Sequence, residues 1–409
     1  MRPIPNVLYE EKNRAIERLY EYHVKVEHIP SNKALPNHVV DFSANEKEDE
    51  VTLYVANAPE GSFSLDERID YVHVIDFVTG RKSINKDILV PAKAGATDLG
   101  IPVDLNNRII YLYGDTFAGN DCNDGLWNSN FIAYSSRRDF SNGIHFDGVI
   151  KDDQGIIKPI KQGKHDRDKE ENLDISLHKE VTKIPTGGIL VGDYVYIYMM
   201  QVRHWGKAGE WFVSENQAYK AHKDNLNNFQ EVETLRFDET PYYRLGQIYP
   251  IDNPFDKENI YFLSIPGGRF GKLSLLRVKR EKIEDKHAYE LCIGLDKWGL
   301  LDEHINDEYF ILKGPASEPS IMYNEYLGGW LISSLSSKGM CFYLKKNLTD
   351  DKEEEILILT HKEVASHYGG FLHPSLSEYH GQKVYLQVSQ WSPIYNTSLI
   401  EIVFKKKEG

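Results

Sequence analysis

Apolar positions along this chain fall mostly into short runs rich in β-branched and aromatic residues, separated by clusters of Gly, Pro, Asn, Asp and Ser, the pattern of strands joined by turns. From residue 96 onward a unit recurs, imperfectly but five times. The units open on A-T-D-L-G at 96, P-T-G-G-I at 185, Y-R-L-G-Q at 243, S-E-P-S-I at 317 and L-H-P-S-L at 372. A Tyr- or Trp-bearing strand follows each opening: R-I-I-Y-L-Y, D-Y-V-Y-I-Y, N-I-Y-F-L-S, G-W-L-I-S-S and K-V-Y-L-Q-V. Third strands are visible in N-F-I-A-Y-S-S, W-F-V-S-E-N, L-S-L-L-R-V, M-C-F-Y-L-K and S-L-I-E-I-V. Repeated antiparallel sheets at uneven spacing predict an all-β fold, a five-bladed β-propeller with insertions on one face, with a β-sandwich as the alternative.

Ahead of the repeats the pattern differs. Val7, Leu8, Ala15, Ile16, Leu19 and Tyr20 recur near a 3.6-residue period and predict a helix over 7–24. The runs H-V-V-D-F-S, V-T-L-Y-V-A and Y-V-H-V-I-D-F predict short strands between 38 and 90. Residues 1–90 therefore read as a small N-terminal accessory module of helix and strands, and residues 91–409 as the propeller. The module could pack on the main domain, bind a partner, or supply a strand that closes the ring. Its separate composition leads to the expectation that a chain starting near Lys86 still folds and works.

Within the first repeat, Gly95 to Gly119 reads as a β-hairpin. One strand opens near Asp98, Asp104 to Arg108 is the turn, and Ile109 to Tyr113 returns. Antiparallel pairing brings Asp98 and Asp115 to one edge, where Gly114 permits close backbone approach. As an alternative, both are turn aspartates bonded to local backbone. In a propeller the first strand of each blade starts beside the axis, so the openings collect Asp98, Thr186, Arg244, Glu318 and His373 around one pocket. Charged side chains at equivalent points of a repeat are rarely there for packing, although an ion-pair network plugging the channel is the structural alternative.

Composition narrows the partner. With 48 basic against 62 acidic residues and a net charge of −14, nucleic acid and anionic membrane surfaces are excluded as main partners, and a neutral glycan fits better. Aromatics at 12%, with 25 Tyr and 6 Trp, exceed what a generic core needs, although all-β proteins are aromatic-rich in any case. Cys122, Cys292 and Cys341 are too widely spaced for a zinc motif and read as free thiols. The N-terminus has no apolar signal core, and no run reaches the length of a membrane span. As written the chain reads as cytoplasmic, with a secreted mature form or a virion component as alternatives. The loop Asp121, Cys122, Asn123, Asp124 lacks the carboxylate pattern of a calcium site, so neither metal nor cofactor is expected.

Glycosidic cleavage needs one carboxylic acid to protonate the leaving oxygen and one carboxylate to activate water or attack the sugar. Asp98 and Asp115 supply such a pair. Glu318 is a third candidate, as general acid or as a charge tuning its neighbours, unless it is tied in a salt bridge to Arg244 or Arg269. Trp205, Trp211 and Trp391 are candidates to stack on sugar rings, Asn130, His373 and Gln390 to hydrogen-bond them, and Thr186, Arg244 and Arg269 to bind substrate as well. Each aromatic has a core role as its alternative.

The pieces A-T-D-L-G-I-P-V with Y-G-D-T-F, I-P-T-G-G-I with H-W-G-K-A-G-E-W-F, and Y-G-G-F-L-H-P with S-Q-W-S-P-I-Y-N, in that order, resemble the bacterial proteins grouped as domain of unknown function 4185. The resemblance covers about residues 90–405 and leaves out the charged stretch at 161–172. It implies a five-bladed propeller and the endo-D-arabinanase activity of glycoside hydrolase family 183, with the acidic pair at Asp98 and Asp115 and an inverting course. Two other functions remain from the residues alone: a catalytically inert glycan-binding propeller, such as a phage or adhesion receptor-binding module, and a scaffold whose face binds protein. The oligomeric state is left open.

Overall fold

The structure, a computed structural model, describes residues 4–7, 12–30, 39–47, 49–57, 63–164, 180–206 and 209–406. The expected helix is observed as α1, Lys12–Arg18. It is shorter than predicted at its C-terminal end because Val24 and Val26 alternate with Lys25 and Glu27, a period of two that starts strand β1, His23–Pro30. Residues 8–11 of the predicted helix, and 165–172 of the charged stretch, lie outside the described residues.

Strands β2, Val39–Ala44, and β3, Glu50–Asn57, join β1 in a three-stranded sheet with β3 in the middle, parallel to β1 and antiparallel to β2. Its core is its own: Ala15 and Leu19 of α1 bury against Val39, Val51, Leu53 and Val55. Strand β4, Ile69–Phe77, does not belong to this sheet.

Five further antiparallel sheets follow in chain order. The first holds β5, Ala96–Asp104, β6, Ile109–Phe117, the short β7, Trp127–Asn128, β8, Phe131–Ser135, and β9, Gly148–Val149. The second is β10, Thr182–Val191, β11, Tyr194–Trp205, β12, Trp211–His222, and β13, Gln230–Asp238. The third comprises β14, Gln247–Ile251, β15, Asn259–Ile265, β16, Gly271–Lys279, β17, Glu290–Gly294, β18, Lys297–Leu300, and β19, Leu312–Ala316. The fourth is β20, Ser320–Asn324, β21, Gly329–Leu335, β22, Met340–Lys345, and β23, Glu354–Leu359. The fifth takes β24, His367–Leu372, β25, Lys383–Gln390, and β26, Asn396–Phe404, and its fourth strand is β4.

Strand β4 pairs with β26, Val72 opposite Ile402, so of the roles left open for residues 1–90 this segment takes that of a strand in the last sheet. Residues 69–77 lie inside the predicted accessory module, yet they form the outer strand of the last sheet, and Ile69 buries in the core between the fourth and fifth sheets. A cut near residue 86 removes that strand.

First strands touch in order: β5 meets β10, β10 meets β14, β14 meets β20, β20 meets β24, and β24 meets β5. Apolar layers fill the spaces between neighbouring sheets, as with Tyr196, Tyr198, Phe262 and Leu276 between the second and third. Tyr111, Tyr113, Phe131, Tyr385 and Leu399 do the same between the first and fifth. These layers leave the starts of the first strands facing a common space. Among the described residues no helix is long and apolar enough to cross a membrane, and Cys122, Cys292 and Cys341 are free thiols.

Candidate active site

A cavity of about 580 Å³ opens where the first strands begin. Asp98 and Asp115 both line it. The hairpin that carries them is as predicted, β5 and β6, but its register slips twice around Asp98: Thr97 faces Thr116 and Leu99 faces Tyr113. This bulge re-aims Asp98 at the end of the ladder. Leu99 pays with a left-handed backbone, φ 70°, and the Ser389 hydroxyl of the fifth sheet holds it by accepting from the Leu99 N–H at 2.9 Å. Gly114 is required here, because a Cβ at that position would come 2.4 Å from Asp98 Oδ1.

Each carboxyl has its own set of donors. Asp98 Oδ2 accepts from the Tyr368 hydroxyl at 2.7 Å, and the Tyr395 hydroxyl acts on the same carboxyl from nearby, favouring its ionised form. Asp98 Oδ1 is buried with no partner. Asp115 Oδ1 accepts from Thr182 Oγ1 at 2.6 Å and from Trp127 Nε1 at 2.9 Å. Burial pushes Asp98 up to about 6 against the pull of the two tyrosine hydroxyls, with Glu318 adding repulsion and Arg269 attraction. Burial pushes Asp115 up to about 7, the Thr182 hydroxyl opposing this and the charge of Asp98 adding to it.

Across the cavity Glu318 accepts from Arg269 through both oxygens, with Nη2 to Oε1 at 2.6 Å and Nε to Oε2 at 3.0 Å. The guanidinium also lies over the rings of Tyr368, at 4.4 Å, and Trp211, at 5.2 Å. Glu318 forms the salt bridge to Arg269, and its charge at the same time raises Asp98. Trp205 and Trp391, 43% and 61% exposed, stand with buried Trp211 along the lining. Thr186 also reaches the lining, but its hydroxyl donates to Ile248 O at 2.7 Å and ties the second sheet to the third.

Four predicted residues lie outside the lining. Arg244 is fully buried, donating to Ser274 Oγ at 3.0 Å and to the carbonyls of Ile305, Asp307 and Tyr309, with Phe310 stacked at 4.2 Å. A helical turn at Tyr243–Leu245 delays the strand, so Gln247 takes the cavity position in that repeat. His373 follows the end of β24 and packs against Phe140 and Tyr111, where burial pushes its imidazole down to about 3. Tyr368, near the start of β24, faces the cavity instead. Asn130 binds the carbonyls of Lys161 and Lys183 and the Ile160 N–H, fastening a connection to β10. Gln390 donates to Ala365 O at 2.9 Å inside the fifth sheet, and only its neighbour Trp391 reaches the cavity.

Thr182, Trp127, Tyr368 and Tyr395, which hold the two aspartates, were not singled out from sequence. A signal for two of them was present: Tyr368 opens Y-G-G-F-L-H-P and Tyr395 lies in S-Q-W-S-P-I-Y-N. Thr182, Tyr368 and Tyr395 come from segments remote from the hairpin, so nothing local ties them to it, whereas Trp127 lies on β7, which pairs with β6.

The sequence pattern of the family described as Domain of unknown function (DUF4185) matches residues 89–401. No curated protein matches the chain. Among solved structures, a protein from Bacteroides ovatus is similar at 9% identity over 81% of this chain and 87% of its own, with a TM-score of 0.49. The GH32 β-fructofuranosidase of Bombyx mori is similar at 11% identity over 84% of this chain and 67% of its own, TM-score 0.45. The native arabinanase of Bacillus subtilis is similar at 9% identity over 75% of this chain and 96% of its own, TM-score 0.40. These likenesses are distant and establish neither an activity nor a substrate for this chain.

Proposed function

The chain belongs to the DUF4185 family, whose description names no activity, and from the site itself we propose that it is a glycoside hydrolase cleaving internal bonds of a furanose-rich polysaccharide. D-arabinan is the first candidate, as the resemblance to family 183 endo-D-arabinanases implies. We read the five sheets as the blades of a five-bladed propeller with the cavity at its axis, a reading supported by the order in which their first strands touch.

The observation that carries the proposal is the pair Asp98 and Asp115, both raised by burial and both facing a cavity lined by tryptophans. A carboxyl raised to about 7 holds a proton near neutral pH, and the groups that act on Asp115 are its burial, Thr182, Asp98 and Trp127, whereas Arg269 acts on Asp98. Asp115 gives this proton to the bridging oxygen as the bond from that oxygen to the anomeric carbon breaks. Asp98, which feels the Arg269 charge and two tyrosine donors, is the carboxylate partner. On the inverting course that the resemblance implies, Asp98 takes a proton from the water that adds to the opposite face of the sugar. Asp98 ends protonated and Asp115 ionised, and exchange with solvent resets both. Arg269, held by Glu318, and the tryptophans position the chain.

The test is incubation of the purified protein with D-arabinan, arabinogalactan, L-arabinan and xylan, followed by product sizing. A ladder of oligosaccharides from D-arabinan is expected, reduced about 10²–10⁴-fold in Asp98→Asn and in Asp115→Asn. A variant that hydrolyses at the wild-type rate removes that residue from the mechanism. Binding of a glycan by the wild type with no turnover selects the inert glycan-binding reading.

A further inference from the structure

Beside the catalytic cavity lies a second hollow of about 500 Å³ that shares three lining residues with it, Gly209, Glu210 and Trp211. These three form a sill between the two spaces. Gly246 and Gly267 line the hollow where backbones pack closely: a Cβ on Gly267 would sit 2.7 Å from Trp211 O, and one on Gly246 would sit 2.7 Å from Gly267 N. The sides carry rings that the fold leaves in water, Phe270 at 63% exposure and Tyr243 at 45%. Apolar rings held open on a groove cost solubility unless they meet a ligand.

We propose that this groove is a distal subsite that binds the continuation of the same glycan outside the catalytic cavity, so that the protein prefers long chains. The inference rests on the glycoside hydrolase reading and adds to it a site and a chain-length rule. Three observations support a sugar chain as the occupant. The groove adjoins the cavity, the two sharing Gly209, Glu210 and Trp211, so a polymer that leaves one space over these residues reaches the other. Its rings offer flat faces, the surface on which a sugar lays its C–H groups. Two of its three carboxylates, Glu215 and Glu239, are matched by Arg236 at 2.5 Å and Arg203 at 3.2 Å, so the groove suits a neutral, hydroxyl-bearing ligand better than an acidic one. Glu210 on the sill is placed to accept hydroxyl donors as the chain crosses.

The experiment compares wild type with the double variant Tyr243→Ala, Phe270→Ala on size-fractionated D-arabinan oligosaccharides and on the intact polymer. Both rings are exposed, and circular dichroism and thermal unfolding check that the variant folds. The wild type is expected to show kcat/KM rising with chain length. The variant is expected to match it on the shortest cleaved fragments and to lose about 5–20-fold on long ones through KM, a few-fold per ring. Equal losses at every length, or no loss at any, overturn the distal subsite while leaving hydrolysis standing. If the wild type hydrolyses none of these substrates, gel retardation by the same four polysaccharides decides the matter. Retardation of the wild type that the double variant lacks supports the groove without the catalytic reading, and equal migration of both proteins in every gel overturns it.

Discussion

Asp98 and Asp115 are the same residue type in two surroundings, and their titration separates them from ordinary surface carboxylates. Both are raised above the usual value of 3.8, to about 6 and about 7, by burial first. The folded protein therefore keeps protons that the unfolded chain has released. The stability this contributes is complete below about pH 4 and is lost as pH rises through about 6 and then about 7. An asparagine does not titrate, so the melting temperature of Asp115→Asn relative to wild type should climb between about pH 4 and pH 8. Thermal unfolding at stepped pH measures this, and a constant offset across the range contradicts it. The tyrosines make a second prediction. Tyr368→Phe removes the hydroxyl at 2.7 Å from Asp98 Oδ2 and with it a bond that favours the ionised form. The acidic limb of the kcat/KM profile should then move up by about one pH unit with KM little changed. A general fall in rate with an unmoved limb would assign Tyr368 to packing alone.

At the scale of elements, the hairpin β5–β6 is complete in one stretch of chain, whereas the fifth sheet is assembled from both ends. Strand β4 pairs along β26 and places Ile69 in the core, with Val72 and Val74 partly buried against it. A chain starting at Lys86 loses this strand and leaves the backbone groups of β26 without partners on one side. Lost apolar burial alone should cost on the order of 3–6 kcal/mol. Unfolding in denaturant should show a lower midpoint for that chain, while one starting at Phe63 keeps the wild-type midpoint. Equal midpoints for the two truncations would show that β4 adds nothing to the last sheet. The expectation that residues 1–90 are dispensable is thus narrowed to the segment before β4, whose sheet has a core of its own.

At the scale of the whole molecule the net charge is −14, while the cavity's Arg269 is matched by Glu318 at 2.6 Å. A neutral glycan feels little of the long-range field, and an anionic one is repelled. Turnover of D-arabinan should change less than about twofold between about 20 and 200 mM salt, whereas any activity on an acidic polysaccharide should rise with salt as repulsion is screened. Initial rates across a salt series check this. A steep fall with salt on the neutral polymer would mean that attraction to charge drives binding.

What sequence alone determined is local in origin. Period-two alternation and turn residues mark the strands, and the hairpin turn at 104–108 brings Asp98 and Asp115 to one edge, because antiparallel geometry follows from a short turn. Which residue of each opening faces the cavity was decided only by tertiary structure, since it depends on where each first strand begins: β14 starts at Gln247 after the turn that holds Arg244, and β24 ends before His373. That is why Gln247 and Tyr368 line the cavity and Arg244 and His373 do not. The choice of Arg269 for Glu318, the gathering of Tyr368, Tyr395 and Thr182 around the aspartates, and the docking of β4 on β26 depend on contacts between segments far apart in the chain. No local pattern encodes these contacts, because each joins segments that only the packed chain brings side by side.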